Sequence, residues 1–267
     1  MVRLPAVAGS FYPGNPEKLA AQIAAFTSSA GEKVRALGCV VPHAGYTYSG
    51  HVAGAVYASI EIPRKCILLG PRHFPRGQPL AILTQGSFST PLGEAPIDAD
   101  LAGALAREDP RLRQDPVAHE REHSLEVQIP FLQSLANGFR FVPVVLATDR
   151  YGAIEDLGRA VAKVIAAANE PVLAIASTDM NHYEDDALTR VKDRRAIDRI
   201  LALDPRALFD TVRGEGISMC GYAATTAMLI AMRELGAREA RLIRYATSAD
   251  AGGDPRQVVG YAGIVIR

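Results

Sequence analysis

The chain has 267 residues, and its 29 basic and 29 acidic side chains cancel to zero formal charge. Hydrophobic residues make up 48% and charged ones 22%, which excludes disordered and collagen-like chains. It also argues against a protein built to grip nucleic acid or an anionic membrane, since both need a basic surface.

A chain this long buries enough apolar surface for one sizeable core without disulfide staples, so a single domain over residues 1–267 is expected. Apolar runs such as Pro171–Ala176 and Ala223–Met232 fall well short of the roughly 20 residues of a membrane span. Three cysteines, Cys39, Cys66 and Cys220, do not make a disulfide framework. No secretion signal is evident at the start, so the cytoplasm is the expected compartment.

In chain order, Asn15-Pro16 reads as an N-cap with Pro at N1, opening a helix through about Phe26. Leu37–Val41 is a short apolar run ended by Pro42. Gly50–Ile60 has helical spacing, and Lys65–Gly70 is strand-like. Leu80–Thr84 is a further strand, followed by a polar stretch through Pro96. Asp98 caps a helix to Arg107, and Ser124–Leu135 reads as another, with Pro130 marking a kink or boundary. Phe139–Thr148 is strand-like, Ile154–Ala168 helical, and Pro171–Ser177 a buried strand. Helices are expected over Ala187–Leu203, over Pro205–Val212 with Asp204 as cap, and over Gly221–Leu235 closed by Gly236. Leu242–Ala246 and Val258–Ile266 complete the pattern as strands.

Strands separated by helices of this length imply βαβ units. The fold class expected is α/β: a three-layer α/β/α domain with a mixed, largely parallel central sheet. Antiparallel pairs would come from the 85–100 region and the last two strands.

Ligands of such sheets gather beyond the carboxyl ends of the strands, and three histidines fall there. His43 follows Leu37–Val41, His73 follows Lys65–Gly70, and His182 follows Pro171–Ser177. The 30 residues between His43 and His73 match one βαβ unit, so neighbouring strands are expected. A lone histidine at a strand end is most often a structural hydrogen-bonder; three of the chain's six point to a site.

Cys220 lies at the start of the Gly221–Leu235 helix, whose positive end would lower its thiol pKa and favour thiolate. The plain alternative is a small apolar residue in a core, the reading given to Cys39 and Cys66. Asp179, three residues before His182, could fix its tautomer or simply cap a helix.

His119-Glu-Arg-Glu-His123 matches the zinc-protease pattern in form. Asp115-Pro116 just upstream, with apolar positions beginning only at Leu125, puts the first histidine in a loop or first turn, near the surface. Glu122 and His123 read instead as a pocket-lining pair. Neither a phosphate-binding glycine loop nor a Gly-x-Ser-x-Gly elbow occurs.

The segments Pro5–Pro13, Pro42–Gly50, Leu69–His73, Glu122–Glu126, Ser177–His182, Met219–Gly221 and Val258–Tyr261 resemble, in order, those of the Memo family. Prokaryotic members of that family are called AmmeMemoRadiSam system protein B. The resemblance spans essentially the whole chain and implies a fold similar to class III extradiol dioxygenases, which are non-haem iron enzymes. By resemblance, His43 and His73 occupy the two histidine positions of the iron site, and Cys220 stands where the carboxylate would be. His182 matches the acid–base histidine, with Asp179 beside it.

A thiolate in place of a carboxylate moves the expected metal from iron alone to iron or copper, with zinc a further candidate. The expectation is a metal-dependent, dioxygenase-like oxidoreductase acting on a small molecule or peptide. The competing expectation is a non-catalytic binding module that uses the inherited cleft.

Overall fold

The computed structural model describes residues 1–28 and 31–267. Among the described residues the main sheet has nine strands. From one edge their order is His182–Glu184, Val258–Ile266, Gly38–Val41, Val172–Ser177, Lys65–Pro71, Arg140–Leu146, Leu80–Ile82 and Arg113–Gln114, with Ala240–Thr247 also paired to Val258–Ile266.

Gly38–Val41, Val172–Ser177, Lys65–Pro71 and Arg140–Leu146 run parallel. Their residues are nearly all buried, as expected of strands covered on both faces. Antiparallel strands flank this centre on both sides. The expected mixed, largely parallel sheet is therefore present. The 85–100 region does form an antiparallel pair, Ser87–Thr90 with Gly93–Pro96, but in a separate small sheet joined by Val2–Arg3.

Helices cover the sheet because alternate strand residues each need an apolar partner. Helix Tyr46–Ala58 packs on strands Gly38–Val41 and Val258–Ile266, backed by helix Pro16–Thr27. Helix Tyr222–Glu234 lies on Gly38–Val41, Val172–Ser177 and Lys65–Pro71, backed by Tyr151–Ala166. The first close approach needs Gly50 and Gly54, where any side chain would run into Phe26. At the second, a side chain at Gly158 would meet the Ala227 carbonyl.

The caps follow from the residues. Asn15 accepts from Lys18 N at 2.9 Å, Asp98 from Leu101 N at 3.0 Å, and Asp204 from Ala207 N at 2.9 Å.

Two expectations need correction. Ser124–Leu135 is a 3-10 turn, Glu126–Gln128, followed by a helix only over Ile129–Leu135, with Pro130 in its first turn. Proline fits there because the first turn lacks an intrahelical N–H acceptor. The strands leading to His43 and His73 are not neighbours either, because Val172–Ser177 lies between them. Segment length reports a crossover but not how many places it crosses. Among the described residues, no helix is long and apolar enough to cross a membrane.

Candidate metal centre

His43 and His73 leave adjacent regions of the sheet at the carboxyl ends of their strands, and Ser177 and Asp179 leave the strand between. Their place in the sheet brings these residues together. His123 arrives from the turn before Glu126–Gln128. The donor atoms of His43, His73 and His123 lie within 4.8 Å of one another, so this trio could hold a metal ion. The His73 and His123 rings stack at 4.6 Å with an interplanar angle of 20°, and the His43 ring meets His73 edge-on at 5.2 Å.

Each ring is held from behind. His73 Nδ1 lies 2.9 Å from Glu122 Oε1, and its backbone N–H donates to Oε2 at 2.5 Å. Ser124 N also donates to Oε1, at 2.8 Å. Burial alone would raise the Glu122 pKa, but the hydrogen bonds and charge of His73 and the backbone donors win and bring it to about 2. Burial would equally lower the His73 pKa, yet its hydrogen bond to Glu122 and the charge there leave it raised. His123 packs edge-on against Phe11 at 4.9 Å, and burial brings its pKa to about 4. His43, fully enclosed, is lowered well below the ordinary value by burial and by the neighbouring imidazoles. His43 and His123 are thus both shifted toward the neutral form that can offer a lone pair to a metal.

Cys220 Sγ lies 3.3 Å from His43 Nε2 and accepts from Asp179 N at 3.2 Å. The helix expected to activate this thiol is present, with Gly221 as its N-cap. Burial and the Asp179 charge nevertheless raise the thiol pKa, so the expectation of a ready thiolate is corrected. Metal binding here would have to displace a proton. Asp179 accepts from His43 N at 2.7 Å and Ala44 N at 3.3 Å, and burial raises its own pKa. It anchors the loop that bears His43 rather than the His182 ring. His182 Nδ1 is held at 2.9 Å by the Ser218 carbonyl, close enough for its charge to act on both His43 and Asp179.

Sequence reasoning placed Glu122 and His123 at a pocket and put neither among the candidate metal donors, where the structure adds His123. The available signal was His123 following an acidic residue, Glu122, at a helix entrance. Ser177 and Gln128 were missed, because serine and glutamine carry no pattern of their own. His119 is corrected: it is buried, not near the surface, and its Nε2 has no partner. The short helix Pro116–Glu120 ends before His123, so the two histidines of the zinc-protease pattern share no helix face. Cys39 and Cys66 are buried core residues, as read.

A family model described as "Memo-like protein" matches residues 3–265. A MEMO1 family protein of Methanopyrus kandleri is 41% identical, with 100% of this chain and 99% of that protein covered. Another, from Methanothermobacter thermautotrophicus, is 40% identical over 98% and 99%. A third, from Archaeoglobus fulgidus, is 39% identical over the whole of both chains. Matches of this length and identity, on a sheet that carries the motif residues to one edge, show that the chain belongs to the Memo family.

Proposed function

We propose that this protein is a metal-dependent redox enzyme of the cytoplasm, related to non-haem iron extradiol dioxygenases and acting on a small molecule or peptide. The observation that carries the reading is the convergence of three imidazoles, two of them shifted toward the neutral form, beside the sulfur of Cys220. Nitrogen and sulfur donors suit iron, copper or zinc and disfavour magnesium or calcium. His43 and His73 would hold the metal, with His123 and Cys220 as rival third donors. The metal would supply Lewis-acid and one-electron chemistry toward oxygen or substrate.

The remaining residues manage position and protons. Glu122 orients His73, and Asp179 fixes the His43 loop. With Nδ1 engaged by a carbonyl, His182 keeps Nε2 free to accept a proton from substrate and return it. With zero formal charge the chain has no net basic charge to draw it to nucleic acid or an anionic membrane, so neither is proposed as a partner.

The test is metal analysis after anaerobic reconstitution with Fe(II), Cu(I) or Zn(II), followed by oxygen-consumption assays. His43→Ala and His73→Ala should each abolish stoichiometric metal with the fold intact. Wild-type protein that takes up none of the three metals would refute the reading. Tight ligand binding that needs no metal, with no turnover, would favour the binding module.

A further inference from the structure

Behind His43 lies a fully buried chain of polar groups to which nothing so far assigns a task. His43 Nδ1 is 3.0 Å from Ser177 Oγ. Ser177 Oγ is also 2.6 Å from the Ser124 carbonyl and 2.8 Å from Gln128 Nε2. Gln128 Nε2 reaches the Pro42 carbonyl at 2.9 Å, and Tyr57 OH lies 2.9 Å from Gln128 Oε1. Ser177 and Gln128 have no exposed surface at all.

The directions of these hydrogen bonds are dictated by two backbone carbonyls, which can only accept. The Pro42 carbonyl requires the NH2 of Gln128 on its side, so the amide has one orientation and Tyr57 OH donates to Oε1. The Ser124 carbonyl takes the single hydrogen of Ser177. The reverse arrangement would leave a buried carbonyl unpaired, at a cost of about 1–3 kcal/mol. Ser177 Oγ is then left as an acceptor, of one hydrogen from Gln128 and one from His43 Nδ1.

We propose that Ser177, held by Gln128, is a positioning residue that fixes His43 as the Nδ1–H tautomer and aims the Nε2 lone pair at His73, His123 and Cys220. The role rests on the metal reading for its purpose, but the tautomer belongs to the protein alone. Without Ser177 the ring has a competing option, since Nε2–H could donate to Cys220 Sγ at 3.3 Å. That tautomer would turn a hydrogen, not a lone pair, toward the metal. Of the three clustered histidines, His43 is the most enclosed and the least able to correct its own tautomer by turning.

The experiment is long-range 1H–15N correlation NMR on metal-free protein labelled at histidine, with His43 assigned by its absence in His43→Gln. Wild type should show His43 protonated at Nδ1 and bare at Nε2. Ser177→Ala should move the population toward Nε2–H, and its Zn(II) affinity should fall 10–100-fold in a competition titration. A wild-type His43 protonated at Nε2 would overturn the proposal without any variant. So would Ser177→Ala that keeps the Nδ1–H signature. A tautomer shift in protein that binds no metal would support the role of Ser177 and sink the metal reading, so the two failures are distinguishable.

Discussion

His119 is the sharpest place to test the physical reasoning, because it is buried, lacks a partner at Nε2 and lies outside the histidine trio. Burial, followed by the charge of Arg3, lowers its pKa from 6.5 to about 4. A histidine whose folded-state pKa lies below its unfolded one loses stability as pH falls. The unfolded chain takes the proton near 6.5, and the folded chain resists until near 4. At pH 5 the unfolded side chain is almost fully protonated and the folded one about one-tenth. Relative to pH 8, that difference costs about 2 kcal/mol.

The perturbation is His119→Leu, which has similar volume and no titratable group. Its own packing cost is present at both pH values and cancels in the comparison. Urea unfolding followed by circular dichroism at pH 8 and pH 5 should show wild type losing about 2 kcal/mol more than the variant across that interval. His43 and His123 steepen the acid limb of both proteins and also cancel. Parallel losses in the two proteins would refute the argument, since His119 would then be titrating as though exposed. Metal content should be unchanged in the variant, and its loss would revive the zinc-protease reading.

Three other outcomes are expected. Arg3→Met removes one half of a buried ion pair with Glu126 and should cost about 3–5 kcal/mol in thermal or urea unfolding. A cost under about 1 kcal/mol would mean that Ala6 N, Val7 N and Tyr12 OH satisfy that carboxylate unaided. Gly260→Ala puts a Cβ into the Asp193 carboxyl, 2.8 Å from its Cγ, and should destabilise by about 3 kcal/mol. Adding Asp193→Ala should recover part of that loss, and strict additivity would show that the clash is not the cause. Cys220→Asp exchanges a soft ligand for a hard one and should shift metal preference from Cu(I) toward Fe(II) in anaerobic competition. An unchanged preference would remove the sulfur from the metal's donors.

The sequence was most readable where one residue type does one local job. Asn15, Asp98 and Asp204 announce helix starts, and unbroken apolar runs announce the buried parallel strands. His43, His73 and Cys220 could be singled out because each stands at the end of such an element. What could not be read was anything settled by strand order. Val172–Ser177 slips between the two histidine strands, and only that placement brings Ser177 against His43. His123 was undervalued for the same reason, since its neighbours in space are 50 and 80 positions away in the chain. The thiol of Cys220 shows a further limit. The helix start was legible, but the burial that outweighs it depends on every element packed around the sulfur.

The strand Val258–Ile266 lies inside the sheet, between His182–Glu184 and Gly38–Val41. Until those residues have left the ribosome, Gly38–Val41 has an open, wholly apolar edge, and His182 lacks the strand that carries it. An unpaired edge of that kind is a template for pairing with other chains. The segment that carries His182 therefore has no strand to pair with until Val258–Ile266 is made, even though His43 and His73 are made early. Any ion held by His43, His73 and His123 would sit on a sheet still open along Gly38–Val41 until Val258–Ile266 pairs there.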